Sequence, residues 1–343
     1  MSSKLEDIIK DRIRELGTIS VAEYMELALS HPEHGYYMLR DPLGSTGDFT
    51  TAPEISQVFG EIIGAWLAHC WQALGTPREV ALVELGAGRG TLMADILRAT
   101  KNVTGKFGGF HDAISVHLVE ISPTLRQKQW KNLVTKHPRL EWHDNIETLP
   151  QMPLLLVANE FFDALPIRQF IDSKERMVVI DNDGKLQFSD TNGQITETCE
   201  PAIAIIKTIA EHIKTHGGAA LIIDYGYTDG SAGDTLQAMK NHDFYPVLQD
   251  AGDADITAHV DFKALAEAAQ SDGINVHEAI PQGAFLMRLG AGERTTFLCQ
   301  SANAEQQKLL ISGLKRLADP EQMGKLFKVM AITSEKIAKV VGF

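Results

Sequence analysis

The sequence predicts an α/β fold: a doubly wound, mostly parallel sheet behind an N-terminal helical cap. Three observations predict it. From residue 80 onward, short apolar runs alternate with amphipathic segments, the pattern of consecutive βα units. Runs such as "LLLV" and "ALII" are apolar at every position, as strands covered on both faces are. The stretch "LVELGAGRG", 82–90, ends an apolar run in a glycine-rich turn, the place where open α/β sheets bind ligands.

The elements follow in order. Residues 4–30 read as two amphipathic helices, with Ser20 as the N-cap of the second and Glu23 completing a capping box. The segment 31–54 is broken by Pro, Gly, Thr and Asp and reads as an ordered loop. Residues 55–74 are apolar with helical spacing, Val58, Ile62, Trp66 and Cys70 sharing one face; burial under the cap is the expected fate of this helix. Strands then read at 80–85, 114–121, 140–143, 153–159, 218–226, 274–279 and 326–333. Helices read at 91–100, 123–136, 201–215, 261–271 and 303–316. Two shorter strands near 167–173 and 176–181 are joined by "DSKE" as a hairpin. The division is a cap, 1–75, and one doubly wound domain, 76–343, with insertions near 160–200 and 227–260.

Composition narrows the function. A chain of 343 residues with 44% hydrophobic and 22% charged residues has the make-up of a soluble globular protein. Three distant cysteines, Cys70, Cys199 and Cys299, exclude a disulfide scaffold and a CxxC zinc site. A formal charge of −13 supplies no positive face for DNA or RNA, and reads as plain solubility or as complement to a basic partner. The opening "MSSKLEDIIKDRIRELG" lacks the apolar core of a signal peptide and holds too many acids for a mitochondrial presequence. No run approaches the length of a membrane span. A cytoplasmic protein with no membrane insertion is the expectation.

Which ligand do the glycines serve? A dinucleotide turn needs G-x-G-x-x-G, but the last position, counted from Gly86, is Thr91. A P-loop needs Gly-Lys-Ser/Thr, and Arg89-Gly90-Thr91 does not supply it. The pattern is E-x-G-x-G-x-G: Glu84, Gly86, Gly88, Gly90. A carboxylate beside a pyrophosphate repels it, so Glu84 suits a zwitterionic or cationic ligand. S-adenosylmethionine is one, with an ammonium, a sulfonium and no phosphate. Glu120 closes the second strand, where a carboxylate can accept bonds from two ribose hydroxyls. Asp144 and Asn145 close the third, placed for an adenine amino group. A solvated strand end is the alternative for each acid.

"ANEFFDALP", 158–166, offers Asn159, Glu160 and Asp163 directly after a buried strand. One helical turn would put Glu160 and Asp163 on one side; helix capping by Asn159 is a compatible alternative. Methyl transfer relies on positioning. An arginine acceptor demands more, because its protonated guanidinium needs carboxylates to orient it and accept a proton. Asp48 and Asp224 are candidates to join these acids. His31, His34 and His259 lie near the same loops, but the twelve histidines contain no HExxH and no tight His/Cys/Asp set, so no metal is expected.

"GDFTTAPEISQVFGE", "ELGAGRGTLMADIL", "NEFFDALPIRQF", "LIIDYG", "DITAHVDF" and "PQGAFLMRLG" together resemble the MidA family of S-adenosylmethionine-dependent methyltransferases, from about residue 18 to 333. The resemblance implies a class I methyltransferase fold, Rossmann-like and seven-stranded, with an added helical region. It implies that Gly86, Gly88 and Gly90 cradle the methionine part, Glu120 the ribose and Asp144 the adenine side. It also implies that Gly47, Asp48, Thr50, Thr51, Pro53 and Glu54 fold over the cofactor. Eukaryotic members are mitochondrial and symmetrically dimethylate an arginine on a core subunit of respiratory complex I. The resemblance therefore implies a protein-arginine methyltransferase with a respiratory-chain protein as substrate; the lack of a presequence suggests a bacterial, cytoplasmic homologue. The alternatives are a non-catalytic cofactor-binding assembly chaperone, a small-molecule methyltransferase and, further off, an NAD-dependent oxidoreductase.

Overall fold

The structure is a computed structural model that describes residues 3–39, 50–101, 103–190, 192–230, 233–337 and 339–343. Seven strands form its central sheet: β1 (Val80–Leu85), β2 (Ile114–Val119), β3 (Leu140–His143), β4 (Leu154–Asn159), β5 (Gly218–Tyr227), β6 (Ile274–Pro281) and β7 (Phe327–Ser334). Their order is 3-2-1-4-5-7-6. The first five run parallel. β7 enters antiparallel between β5 and β6. A two-residue strand, Val260–Asp261, adds to the end of β5. The chain order reverses between β1 and β4, which makes their C-terminal ends the switch point where ligands bind.

Strand periodicity splits the core into two layers. Leu82, Val116, Leu155 and Leu221 face one layer of helices, while Val83, Leu156, Ile222 and Met330 face the other. The second layer is Glu200–His216 and Phe262–Ala269. The first contains Thr91–Thr100 and, against expectation, Gln57–Ala73. That helix lies on the sheet rather than beneath the cap. A Cβ at Gly60 would meet the Asp95 side chain at 2.5 Å, so glycine here permits the two helices to cross at backbone distance. Helices Gln282–Arg288 and Ala291–Cys299, missing from the sequence reading, add Phe285, Leu286 and Ala291 to the same layer.

The cap is discontinuous. Helices Lys4–Leu16 and Val21–Ser30 share a third core with residues of both insertions, including Ile9, Tyr24, Met25, Val178 and Ile256. Ser20 caps the second helix, its Oγ accepting from the Glu23 N–H at 3.0 Å. Ile19–Ser20 pairs with Met177–Ile180. Gln237–Lys240, Asp243–Tyr245 and Asp255–Thr257 form a further small antiparallel sheet. A hairpin at "DSKE" turns on Asp172 and Ser173, both with positive φ, as a two-residue I′ turn requires. It joins Arg168–Ile171 to Lys174–Glu175, however, while Met177–Ile180, the expected second strand, pairs with Ile19–Ser20 and Leu186–Phe188. The lobe meets the sheet at its C-terminal edge, where Ala258 N–H donates to the Asp163 carbonyl at 2.9 Å. Within 31–54, predicted as loop, the described residues include two helical turns, Tyr36–Leu39 and Ala52–Ile55.

Candidate active site

β1 ends at Leu85 and the chain turns through Gly86, Gly88 and Gly90, with φ of 62°, 52° and 75°. A Cβ on Gly86 would lie 2.8 Å from a ring carbon of Phe161. The helix Thr91–Thr100 starts at Gly90 without a side-chain cap. Its Met93 N–H donates instead to the Glu84 carboxyl. Glu84 is 4% exposed, and its Oε2 has no hydrogen-bond partner among the described residues. Burial first, and then the charge of Glu120, push its pKa up to about 8, against the Met93 bond.

Glu120 follows β2. Its Oε1 accepts from Ser122 N–H at 2.9 Å and its Oε2 from Gln129 Nε2 at 3.1 Å. Gln129, fully buried, also donates to the Gly88 carbonyl at 3.0 Å and accepts from the Trp142 indole at 2.8 Å. One amide thus ties the glycine turn to the acid on the neighbouring strand. Burial raises Glu120 despite these donors.

β4 ends at Asn159, whose Nδ2 donates to Glu160 Oε1 at 3.0 Å. The Asn159 Oδ1 is buried and lacks a partner among the described residues. Glu160 holds a left-handed φ of 51°, a strained conformation for a side chain of this kind. Its Oε1 also accepts from Ala52 N–H at 2.9 Å. No helix follows, which corrects the expectation of a capped helical turn. The N–H groups of Phe161, Phe162 and Asp163 converge instead on Asp224 Oδ2 at 3.0–3.2 Å. Asp224 is fully buried at the β5 end and satisfies a turn that has no helix to join.

The three acids are electrically linked. Burial raises Glu160 to about 7 against the Ala52 bond, and the Asp163 charge adds to the rise. Burial raises Asp163 to about 6 although the Tyr225 hydroxyl donates to it. Burial and the charges of Asp163 and Glu160 raise Asp224 further, against its N–H donors. Near neutral pH the cluster retains protons.

A cavity of about 210 Å³ opens between these elements. Glu84, Gly86, Gly88, Glu120, Asn159 and Glu160 all line it. Gly90 sits behind the wall at the helix start, and Asp163 and Asp224 behind the rim. From the N-terminal signature, Thr51, Pro53 and Glu54 form the facing wall. Glu54 is anchored there by the Thr91 hydroxyl at 2.5 Å. Asp48, with Gly47, lies outside the described residues. Asp144 and Asn145 are exposed and do not line the cavity. Asp144 instead pairs with Arg126 at 2.6 Å, while Arg126 also holds the Glu120 carbonyl. His31 and His34 stack on each other, and His259 lines a second cavity. Sequence reasoning missed Gln129, Tyr37 and Tyr225. Tyr37 lines the cavity and donates to Asp255 at 2.6 Å. Gln129 stands in the polar run 126–129, Tyr225 beside Asp224 and Tyr37 beside Tyr36, so nothing local marks them out from their neighbours.

Residues 62–280 match the family described as S-adenosyl-L-methionine-dependent methyltransferases. The chain belongs to the MidA family of these enzymes. It is 37% identical to the zebrafish (Danio rerio) mitochondrial protein arginine methyltransferase NDUFAF7, over 94% of this chain and 85% of that one. It is 35% identical to the human protein of that name, over 94% and 81%. A crystal structure of a superfamily protein from Burkholderia thailandensis bound to S-adenosyl-homocysteine superimposes with a TM-score of 0.84 at 28% identity, covering 98% of this chain and 93% of that chain.

This MidA protein is an S-adenosylmethionine-dependent methyltransferase, and its cavity fits that cofactor. Two buried oxygens without partners among the described residues, Glu84 Oε2 and Asn159 Oδ1, belong to residues that line the cavity with the glycine turn. They suit an ammonium group and would be costly beside a phosphate. The cytoplasmic placement does not stand, because the curated relatives are mitochondrial by name. A targeting segment is separate from the folded domain, so the acids of the first helix were no guide to compartment. No helix of the described residues is long and apolar enough to cross a membrane.

Proposed function

We propose that this MidA protein methylates arginine in a protein, forming symmetric dimethylarginine on a subunit of respiratory complex I type. The observation that carries this reading is Glu160. It is a carboxyl at the cavity rim, held at about 7 by burial, with Asp163 and Asp224 behind it. An arginine guanidinium is cationic in water and its nitrogens are poor nucleophiles. Transfer to it requires a partner that orients the planar group and takes one proton. Glu160 has the proton affinity for that role at neutral pH. Its Oε1 is fixed by Ala52 and Asn159, so the carboxyl is oriented before an acceptor arrives. The charge of Asp163, whose pKa of about 6 leaves it mostly ionised at neutral pH, favours a cation at the rim. When bound, S-adenosylmethionine supplies an electrophilic methyl group. Glu84, Glu120 and the glycine turn would hold it, and the 51–54 wall would keep water from it. The relatives named as arginine methyltransferases support the same substrate class.

The test uses the full chain, methyl-labelled cofactor and a respiratory-chain protein extract, with hydrolysis to identify the labelled amino acid. Symmetric dimethylarginine is expected. Glu160→Gln should lower transfer by roughly 100-fold or more while S-adenosylhomocysteine still binds. Label on a small molecule or on another residue type, or full activity of Glu160→Gln, overturns the proposal.

A further inference from the structure

The edge of the sheet carries a second cluster, which the cofactor site does not use. His117 on β2 stands directly opposite Glu141 on β3, and His143 is the next residue of β3 on that face. His117 Nδ1 lies 3.0 Å from His143 Nε2 and 3.3 Å from a Glu141 carboxylate oxygen. His143 Nε2 lies 3.9 Å from the same oxygen. Three donors that each bind one ion at about 2.0–2.1 Å in tetrahedral geometry stand roughly 3.3 Å apart. The observed separations bracket that value.

The far side of each ring strengthens the case. His143 Nδ1 is 2.9 Å from the Thr148 hydroxyl, whose own proton goes to the Asn145 carbonyl at 3.1 Å. Thr148 therefore accepts, the His143 proton sits on Nδ1, and Nε2 presents a bare lone pair. His117 Nε2 is 2.9 Å from the Ser115 hydroxyl. With that hydroxyl accepting, His117 Nδ1 is bare as well. Two lone pairs and a carboxylate then converge, an arrangement that repels itself unless a cation lies between. Outer hydrogen bonds that fix the tautomer in this way are the usual support of metal-bound histidines.

We propose that His117 Nδ1, His143 Nε2 and the Glu141 carboxylate bind one zinc ion, with the remaining position open to solvent beside Glu141. The ion clamps edge strand β3 to β2. The His143 carbonyl accepts from the Glu120 N–H at 3.0 Å and from Arg126 at 2.9 Å, so the clamp stiffens the backbone that sets Glu120. The sequence hid the site because its ligands are 24 and 26 positions apart and meet only through strand pairing.

The full chain, stripped with chelator and dialysed, is titrated with Zn²⁺ by calorimetry and metal analysis, beside a thermal melt. One tightly bound zinc per chain and a raised Tm are expected, with no response to Mg²⁺. Glu141→Gln, at an exposed position, should weaken binding by roughly tenfold or more, and Thr148→Val by roughly 10- to 100-fold. The competing arrangement is a proton shared between the two imidazoles, with Ser115 as donor. No zinc uptake at micromolar concentration overturns the proposal. So does unchanged affinity and stoichiometry in Glu141→Gln and Thr148→Val, or a bridging proton seen by NMR that persists with zinc present.

Discussion

Replacing Glu84 by Gln separates the price of a buried acid from its use. Raising a carboxyl from 4.5 to about 8 corresponds to about 5 kcal/mol at 1.36 kcal/mol per pH unit. With no ligand bound, roughly a tenth of the Glu84 carboxyls are ionised at pH 7 and about a hundredth at pH 6. An ammonium ligand needs the ionised form, so its apparent affinity scales with that fraction. Binding of S-adenosylhomocysteine should therefore tighten about tenfold from pH 6 to pH 7. That window lies below the range in which an α-amino group titrates. Calorimetry in buffers of different ionisation enthalpy should also count nearly one proton released per ligand at pH 6. In Glu84→Gln the extra pH dependence disappears and affinity at pH 7 falls by roughly 10- to 100-fold, the value of one charge-assisted hydrogen bond. Stability should move the other way. The folded pKa lies above the unfolded one, so the stability is fully present below 4.5 and is lost as pH rises through about 8. Unliganded Glu84→Gln should consequently melt higher than the parent at pH 8. Parent affinity that is flat between pH 6 and pH 7, or a variant with the parent's slope, would refute the pairing of Glu84 with a cationic ligand.

Gly86→Ala should cost about 1–2 kcal/mol for a left-handed alanine and more for the contact with Phe161 at 2.8 Å; a melt and a ligand titration should show both lower Tm and lost binding. Glu61 is buried between Arg98 at 2.7 Å and Arg294 at 2.6 Å. Burial alone would raise it, but the bonds and charges of the two arginines outweigh burial and hold it below the usual range. Stability from this group is therefore present above 4.5 and lost as pH falls through the lowered folded value. Glu61→Ala should cost about 1–3 kcal/mol at neutral pH, because water screens the half-exposed arginines left behind, and flatten the acid limb of the parent's denaturation profile; equal slopes in the two proteins would count against the bridge.

The order of elements was legible along the chain because each signal is local. β1 and β3 were predicted at their observed bounds, and β4 and β5 to within a residue at each end. Their apolar runs reflect burial on both faces. That Glu84, the glycine turn, Glu120 and Glu160 would gather around one cavity was legible too, since they end or follow β1, β2 and β4 at the switch point. What the sequence could not order was anything that depends on two distant segments meeting. Helix Gln57–Ala73 read as part of the cap because apolar spacing shows that a face is buried, not what buries it. The cap itself is assembled from three separate segments through one shared core. Asp144 was read as a ligand contact from its place at a strand end, yet Arg126, eighteen residues away, claims it. Gln129, Tyr225 and the His117–Glu141–His143 cluster take their meaning only from register and packing. Backbone propensity and hydrophobic period are set within a few residues, whereas a carboxyl's partners, and hence its proton, are set by what the fold brings beside it.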